Sequence, residues 1–300
     1  MYDLIIIGAG PAGITAAVYA ARKKMDFIVI TGDIGGQAAW SGDIENYTGY
    51  QFVTGPELVS KFEEHMRKYA IETKEGEEAV EIKKGPAGVA VRTTKGAYEA
   101  KTVIIASGKK SRELGVPGEK EFKNHGLTYC ATCDGPLFAG KDVAVIGGGN
   151  SALDAALQLM RIARRVYLIT NAPAFTGDPV MLEKVRASAA VTSMVNTEIK
   201  EIIGGKMVTG IRIKKDGTEP TLSVGGVFVE IGLIPNAAFA PEVDKNGAGE
   251  IKVNCRNETS VPGIFAAGDV TDVPEKQIII AAGEGAKAAL TAFRYLSRMR

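Results

Sequence analysis

The stretch Leu4-Ile5-Ile6-Ile7-Gly8-Ala9-Gly10-Pro11-Ala12-Gly13 decides the fold. Its continuous apolar run predicts a strand covered on both faces, as in a parallel sheet. A G-x-G-x-x-G turn follows at once, and the small residues after it predict a helix over 12–22. Strand, glycine turn and helix in that order form a dinucleotide site. The bare backbone at the glycines admits a pyrophosphate, and the free N–H groups and positive dipole end of the helix face its charge. A lone glycine motif is weak, because tight turns also use glycine; the flanking strand and helix give it weight. A second strand is expected over 27–30, and Asp33 is the acid nearest the place where an adenosine ribose is held.

The pattern recurs. A strand over 141–146 runs into Gly147-Gly148-Gly149-Asn150-Ser151-Ala152 and a helix over 151–162, a G-x-G-x-x-A site suited to a nicotinamide cofactor, since a flavin needs a reductant. The next strand, over 166–170, ends in Asn171-Ala172-Pro173. That is neither the acid that reads ribose hydroxyls nor the arginines that read a 2′-phosphate. Arg161, Arg164 and Arg165 precede the strand and are assigned to a solvated helix terminus at the opposite end of the sheet.

Just before the second strand–turn–helix unit stands Tyr129-Cys130-Ala131-Thr132-Cys133-Asp134-Gly135. Thiolates are the nucleophiles of disulfide exchange, so Cys130 and Cys133 are candidate redox residues and Asp134 a candidate proton carrier. Half a zinc site and a structural disulfide are the bland alternatives. The first lacks a second ligand pair, since Cys255, His65 and His125 are scattered. Cys255 reads as a packed small hydrophobe or incidental thiol.

Three hundred residues suit two domains better than one. Lys plus Arg at 36 against Asp plus Glu at 35 leaves a formal charge of +1, which excludes a nucleic-acid groove or a polybasic membrane surface as the main partner. The uncharged run 4–21 is neither signal peptide nor membrane span: Asp3 stands where a basic flank belongs, and Gly8, Gly10, Pro11 and Gly13 break it. Only three cysteines in such a length point to a reducing, cytoplasmic setting.

Elsewhere the spacing predicts a polar loop with Gly35-Gly36-Gln37 and Asp43-Ile44-Glu45-Asn46, then an amphipathic helix over 56–69. Short strands over 78–83, 89–93 and 97–101 form an antiparallel insert, and a strand over 102–106 returns to the parallel sheet. A helix over 179–188 and strands over 191–195, 198–203, 207–214 and 226–230 follow. Ile264 to Ala267 enters a turn at Gly268-Asp269, and a long helix is expected over 277–299. The fold class is α/β, with two Rossmann-like, three-layer ββα dinucleotide-binding domains, the second inserted in the first.

These motifs stand in the order found in the low-molecular-weight thioredoxin reductases, and the sequence resembles that family over its whole length. Ile231-Gly232-Leu233-Ile234-Pro235-Asn236, with Lys276-Gln277-Ile278-Ile279-Ile280 and Gly283-Glu284-Gly285-Ala286-Lys287, looks closest to the flavoprotein of alkyl hydroperoxide reductase, without its extra N-terminal module. The resemblance implies a discontinuous FAD domain, 1–113 and 241–300, around a nicotinamide domain, 114–240, that carries the dithiol. It implies FAD contacts at Gly8, Gly10, Pro11, Ala12, Gly13, Gly35, Gly36, Gln37, Asn46, Gly268, Asp269, Lys276, Gln277 and Ile278. Gly147, Gly149, Asn150, Ser151 and Ala152 would hold the nicotinamide cofactor. It further implies that Cys133 faces the flavin, that Cys130 attacks the partner disulfide while Asp134 manages protons, and that a dimer turns its domains on hinges near 111–115 and 240–244. NADPH-using members carry arginines where this chain has Thr170-Asn171-Ala172-Pro173. That argues against NADPH and ranks NADH slightly ahead of another donor such as a ferredoxin.

The leading expectation is therefore an FAD enzyme reducing the disulfide of a thioredoxin- or glutaredoxin-like protein. The alternatives are a peroxide-defence reductase feeding a peroxiredoxin, a ferredoxin- or other-donor variant, and a flavin redox sensor without turnover. A ferredoxin–NADP reductase is disfavoured because it needs no Cys-x-x-Cys.

Overall fold

The computed structural model describes residues 1–41, 43–44 and 46–299, with the side chains of Trp40, Asp43 and Cys133 outside that set. The chain forms two compact units, Met1–Lys110 with Ile234–Arg300, and Ser111–Leu233. The junctions differ from the expected 113/114 and 240/241. Asn236 belongs to the first unit because its N–H donates to Gly108 O at 3.0 Å and Ser107 Oγ donates to its carbonyl at 2.6 Å. Ala240 and Val243, in the 240–244 stretch, are buried in that unit's core. Arg112 is tied into the second unit, its N–H donating to Gly232 O at 3.0 Å.

In the first unit, strand β1 (Tyr2–Ala9), helix α1 (Pro11–Arg22) and strand β2 (Phe27–Ile34) form the predicted opening. β2 runs past the expected end, so Asp33 lies within the strand and is exposed. Helix α2 (Gly55–Arg67) starts where Thr54 and Glu57 cap each other's backbone N–H groups. It stops short of Tyr69 because Ala70 takes a left-handed φ of 48°. β3 (Thr73–Glu75), β4 (Ala79–Lys84) and β5 (Val89–Thr93) lead into β6 (Ala97–Ile105). What the sequence divides into an insert strand and a sheet strand is this single strand: β5 pairs antiparallel with its first half, and β1 runs parallel beside it. Leu4 and Ile6 pack on one face of the sheet, and Ile5 and Ile7 on the other, which is why the run is apolar throughout.

In the second unit, β7 (Leu127–Thr128), helix α3 (Ala131–Asp134), β8 (Asp142–Ile146), helix α4 (Asn150–Leu159) and β9 (Arg165–Ile169) follow in order. Helix α5 (Pro179–Ala187), capped by Asp178, leads to β10 (Val191–Met194). An antiparallel sheet of β11 (Glu198–Gly204), β12 (Val208–Lys214) and β13 (Thr221–Ser223) precedes β14 (Gly226–Val229). The parallel sheet has the order β7-β14-β8-β9-β10. Val143 and Val145 face α4, while Ala144 and Ile146 face the antiparallel sheet, giving sheet, sheet and helix layers.

The chain then completes the first unit with β15 (Ile264–Ala266), parallel to the second half of β6, and helix α6 (Ile278–Ser297). α6 packs on α1 through alanines, Ala12, Ala16 and Ala20 sharing a core with Ala281, Ala288 and Ala292. A Cβ on Gly285 would sit 2.0 Å from Ala12 O, so small residues set how closely the helices approach. No helix among the described residues is long and apolar enough to cross a membrane.

Candidate active site

The first glycine turn divides its labour. Gly8 has φ +101°, and a Cβ there would lie 2.4 Å from Ala106 O; one on Gly13 would lie 1.8 Å from Gly8 O. These two let helix and strand pack. Gly10 is different: its added Cβ would meet nothing nearer than Gly35 O at 3.9 Å, leaving open space in front of the N-terminus of α1, where Pro11 and Ala12 begin the helix. Gly35, at φ +95°, donates its N–H to Ala9 O at 2.7 Å, and a Cβ on Gly36 would stand 3.6 Å from Gly10 Cα. Gln37 reaches Lys109 O with its amide at 2.7 Å. Asn46 donates to Gln277 Oε1 at 2.9 Å, joining this loop to the residue before Ile278 and α6. Glu45 of the same loop lies outside the described residues.

Gly268 and Asp269 follow β15. Asp269 is largely buried, its carboxylate makes no hydrogen bond among the described residues, and burial pushes its pKa up against the opposing pull of Lys276 and Lys109. A desolvated, unpaired acceptor beside a bare glycine cradle fits a ribityl hydroxyl and a pyrophosphate, so these residues suit FAD. Lys109 and Lys276 both meet Glu250, at 2.5 and 3.3 Å. Burial alone would raise the Glu250 pKa; the hydrogen bonds from Lys109 and Asn246 and the two ammonium charges override it and bring it to about 2. Sequence reading missed Glu250 and Lys109, since nothing in their spacing pairs residues so far apart in the chain.

The second turn is built alike. A Cβ on Gly147 would lie 2.2 Å from Glu230 O, one on Gly148 2.8 Å from Thr170 Oγ1, and one on Gly149 would meet nothing within 4 Å. Ala152 is fully buried beneath the turn, while Asn150 and Ser151 are exposed at the start of α4. Asn150 Oδ1 accepts from Asp178 N at 2.7 Å, and Thr176 N donates to Gly148 O at 2.8 Å. The site fits a dinucleotide's phosphates. At the end of β9 stands Thr170, nearly buried and neutral, its hydroxyl accepting from Ala172 N at 3.3 Å. An open cavity of about 430 Å³ beside Asn171 carries Lys214 and Lys215 with Glu198 and Asp216, a mixed lining that does not single out a 2′-phosphate. Arg164 pairs with Asp142 at 2.8 Å, at the other end of the strands, and holds the Asp142 carboxyl below its usual range.

Cys130 is disulfide-bonded. It leads into α3, whose fourth residue, Asp134, donates its N–H to Cys130 O at 3.2 Å. Thr128 gives its hydroxyl proton to the Asp134 carboxylate and accepts from Cys130 N at 3.2 Å, so one side chain fixes cysteine backbone and acid together. The expected orientation of Cys133 falls on a side chain outside the described residues. Next to the pair, buried Glu119 accepts from Leu114 N and Gly115 N at 2.7 Å and from the Tyr129 hydroxyl at 2.9 Å. Burial, with the Glu119 hydrogen bond, raises the Tyr129 pKa. His125 is exposed and contacts Lys123 O. Cys255 is free and exposed in a surface turn, so of its two readings the incidental thiol is left.

Two glycine-turn dinucleotide folds and a Cys-x-x-Cys in one chain define a class, the two-domain disulfide oxidoreductases. The chain belongs to the pyridine nucleotide-disulphide oxidoreductase family, whose model matches residues 2–285. It is 44% identical over 301 residues to the F component of alkyl hydroperoxide reductase from Staphylococcus aureus, covering 99% of this chain and 59% of that protein. It therefore spans about three-fifths of the length of that relative. The thioredoxin reductase of Streptococcus pyogenes matches with a TM-score of 0.80 and 38% identity over 99% of both chains. A ferredoxin-flavin thioredoxin reductase of Clostridium acetobutylicum matches with a TM-score of 0.56 and 32% identity over 99% of this chain and 98% of that one.

Proposed function

We propose that this chain is an FAD-dependent disulfide reductase that passes electrons through the Cys130/Cys133 pair to the disulfide of a thioredoxin-like protein, working as a homodimer. The observation that carries the reading is the disulfide-bonded Cys130 anchored, through Thr128, to the acid Asp134. Bound FAD would supply the two-electron chemistry that links a donor to the protein disulfide. Gly10, Gly36 and the N-terminus of α1 would hold its pyrophosphate, with Asp269 accepting from a ribityl hydroxyl. Cys130, the more N-terminal thiol, attacks the partner disulfide, and Asp134 holds the proton that the exchange takes up or releases.

The donor is read from Thr170 and Asn171. Without an acid for the ribose or arginines for a 2′-phosphate, NADH ranks ahead of NADPH, and the likeness to a ferredoxin-flavin enzyme keeps a ferredoxin next in line. The 44% identity to a component of alkyl hydroperoxide reductase supports a second reading, in which the reduced partner serves peroxide removal.

Anaerobic reductive titration of the FAD-loaded protein tests the proposal. The wild type should take up two electron pairs per chain, one in the flavin and one in the disulfide, and Cys130→Ser only one. One pair in both would sink it.

A further inference from the structure

Glu230 belongs to no motif, yet it directly follows β14 between the two working parts of the second unit. Its backbone N–H donates to Ile146 O at 2.7 Å, its carbonyl crowds Gly147, and its carboxylate accepts from Ala131 N at 3.3 Å. Ala131 N is the peptide N–H immediately after Cys130. We propose that Glu230 is the positioning residue that sets the charge state of the Cys130 thiol, favouring its protonated form. The inference rests on reading Cys130 as the redox thiol.

Among the described residues the ionisable groups joined to this segment are mostly acids, with Lys123 the cation over Tyr129. Asp134 lies on α3 itself, held by Thr128. From α4, Gln158 accepts from Thr132 Oγ1 at 3.0 Å and donates to Asp154 at 2.8 Å. One residue upstream, Tyr129 is bonded to Glu119, with Lys123 over its ring at 5.3 Å. A helix of four residues carries too little dipole to offset such a field. Burial raises the Glu230 pKa to about 7, the Ala131 N–H opposing and Asp154 assisting, so its charge changes around neutrality. Reduction of a disulfide takes up two electrons, here from the donor chain, and two protons if both sulfurs end as thiols. A carboxylate held on the peptide N–H that follows Cys130 disfavours a thiolate there, so the proton follows the electrons onto sulfur.

The test uses FAD-loaded protein with Cys133→Ser and Cys255→Ser, so that iodoacetamide reports Cys130 alone across pH. With Glu230 present, the profile should show a second inflection near neutrality. Glu230→Gln should erase it and raise the rate roughly five- to tenfold near pH 8, where the carboxylate is largely ionised, but only about twofold at pH 7, where it is half ionised, as expected for removing a unit charge one residue away. Glu230→Asp should keep the parent profile. If Glu230→Gln leaves the rate and profile unchanged, or Glu230→Asp shifts them as far as Gln does, the charge is not the cause and the proposal fails. Should the Gln variant not fold, a single inflection in the parent protein is enough to overturn it. Failure of the wild-type FAD-loaded protein to reduce any redoxin, with the profile as expected in the variant, would instead sink the proposed function and spare the role of Glu230.

Discussion

Asp269 and Glu230 are carboxyls that the fold desolvates, and each makes a prediction at its own scale. Asp269 is largely desolvated and makes no hydrogen bond among the described residues, which costs the ligand-free protein stability. Asp269→Ala should leave the apoprotein at least as thermostable while weakening FAD binding roughly 10- to 100-fold, the range for one charge-assisted hydrogen bond, as read by flavin fluorescence titration. Unchanged affinity would remove Asp269 from the site. Glu230 has a folded pKa near 7 against an ordinary 4.5, so its contribution is fully present below pH 4.5 and is lost as pH rises through 7. The loss is on the order of 3 kcal/mol. Glu230→Gln should therefore melt progressively higher than the wild type from pH 5 to pH 8, and parallel melting curves across that range would contradict the burial argument. Glu250 runs the other way: with a pKa near 2, its pairing with Lys109 and Lys276 is complete above about pH 4.5 and fades as pH falls towards 2.

Among the elements, the first strand–turn–helix was the most legible part of the chain, because close backbone approach can be achieved by few sequences. The structure adds which glycine serves which purpose. Gly13→Ala places a methyl 1.8 Å from Gly8 O and should destabilise the first unit by at least ~1–3 kcal/mol. Gly10→Ala has room and an ordinary φ of −75°, so it should keep the melting temperature and lose FAD. Equal thermal effects of the two would contradict this division. β6 was less legible. Its 97–101 half reads as insert and its 102–106 half as sheet, because the side-chain pattern follows two different neighbours along one strand. Glu230 was legible in hindsight as the one charged residue closing the apolar run Val227-Phe228-Val229, a signal that a strand reading absorbs without asking what the charge faces.

For the whole molecule, motif order gave the two-unit architecture, while the junctions needed tertiary contacts. The resemblance puts a hinge near 240–244, where Ala240 and Val243 pack into the first core. The donor question also belongs here. Anaerobic NADH should bleach the flavin well before NADPH does; bleaching by NADPH first would overturn the reading of Thr170 and Asn171, and silence with both would turn attention to ferredoxin. The central claim is that electrons leave through Cys130. Steady-state reduction of a thioredoxin-like protein by FAD-loaded enzyme tests it most directly: Cys130→Ser should bind FAD normally and turn over at background, whereas turnover at the wild-type rate would contradict the account.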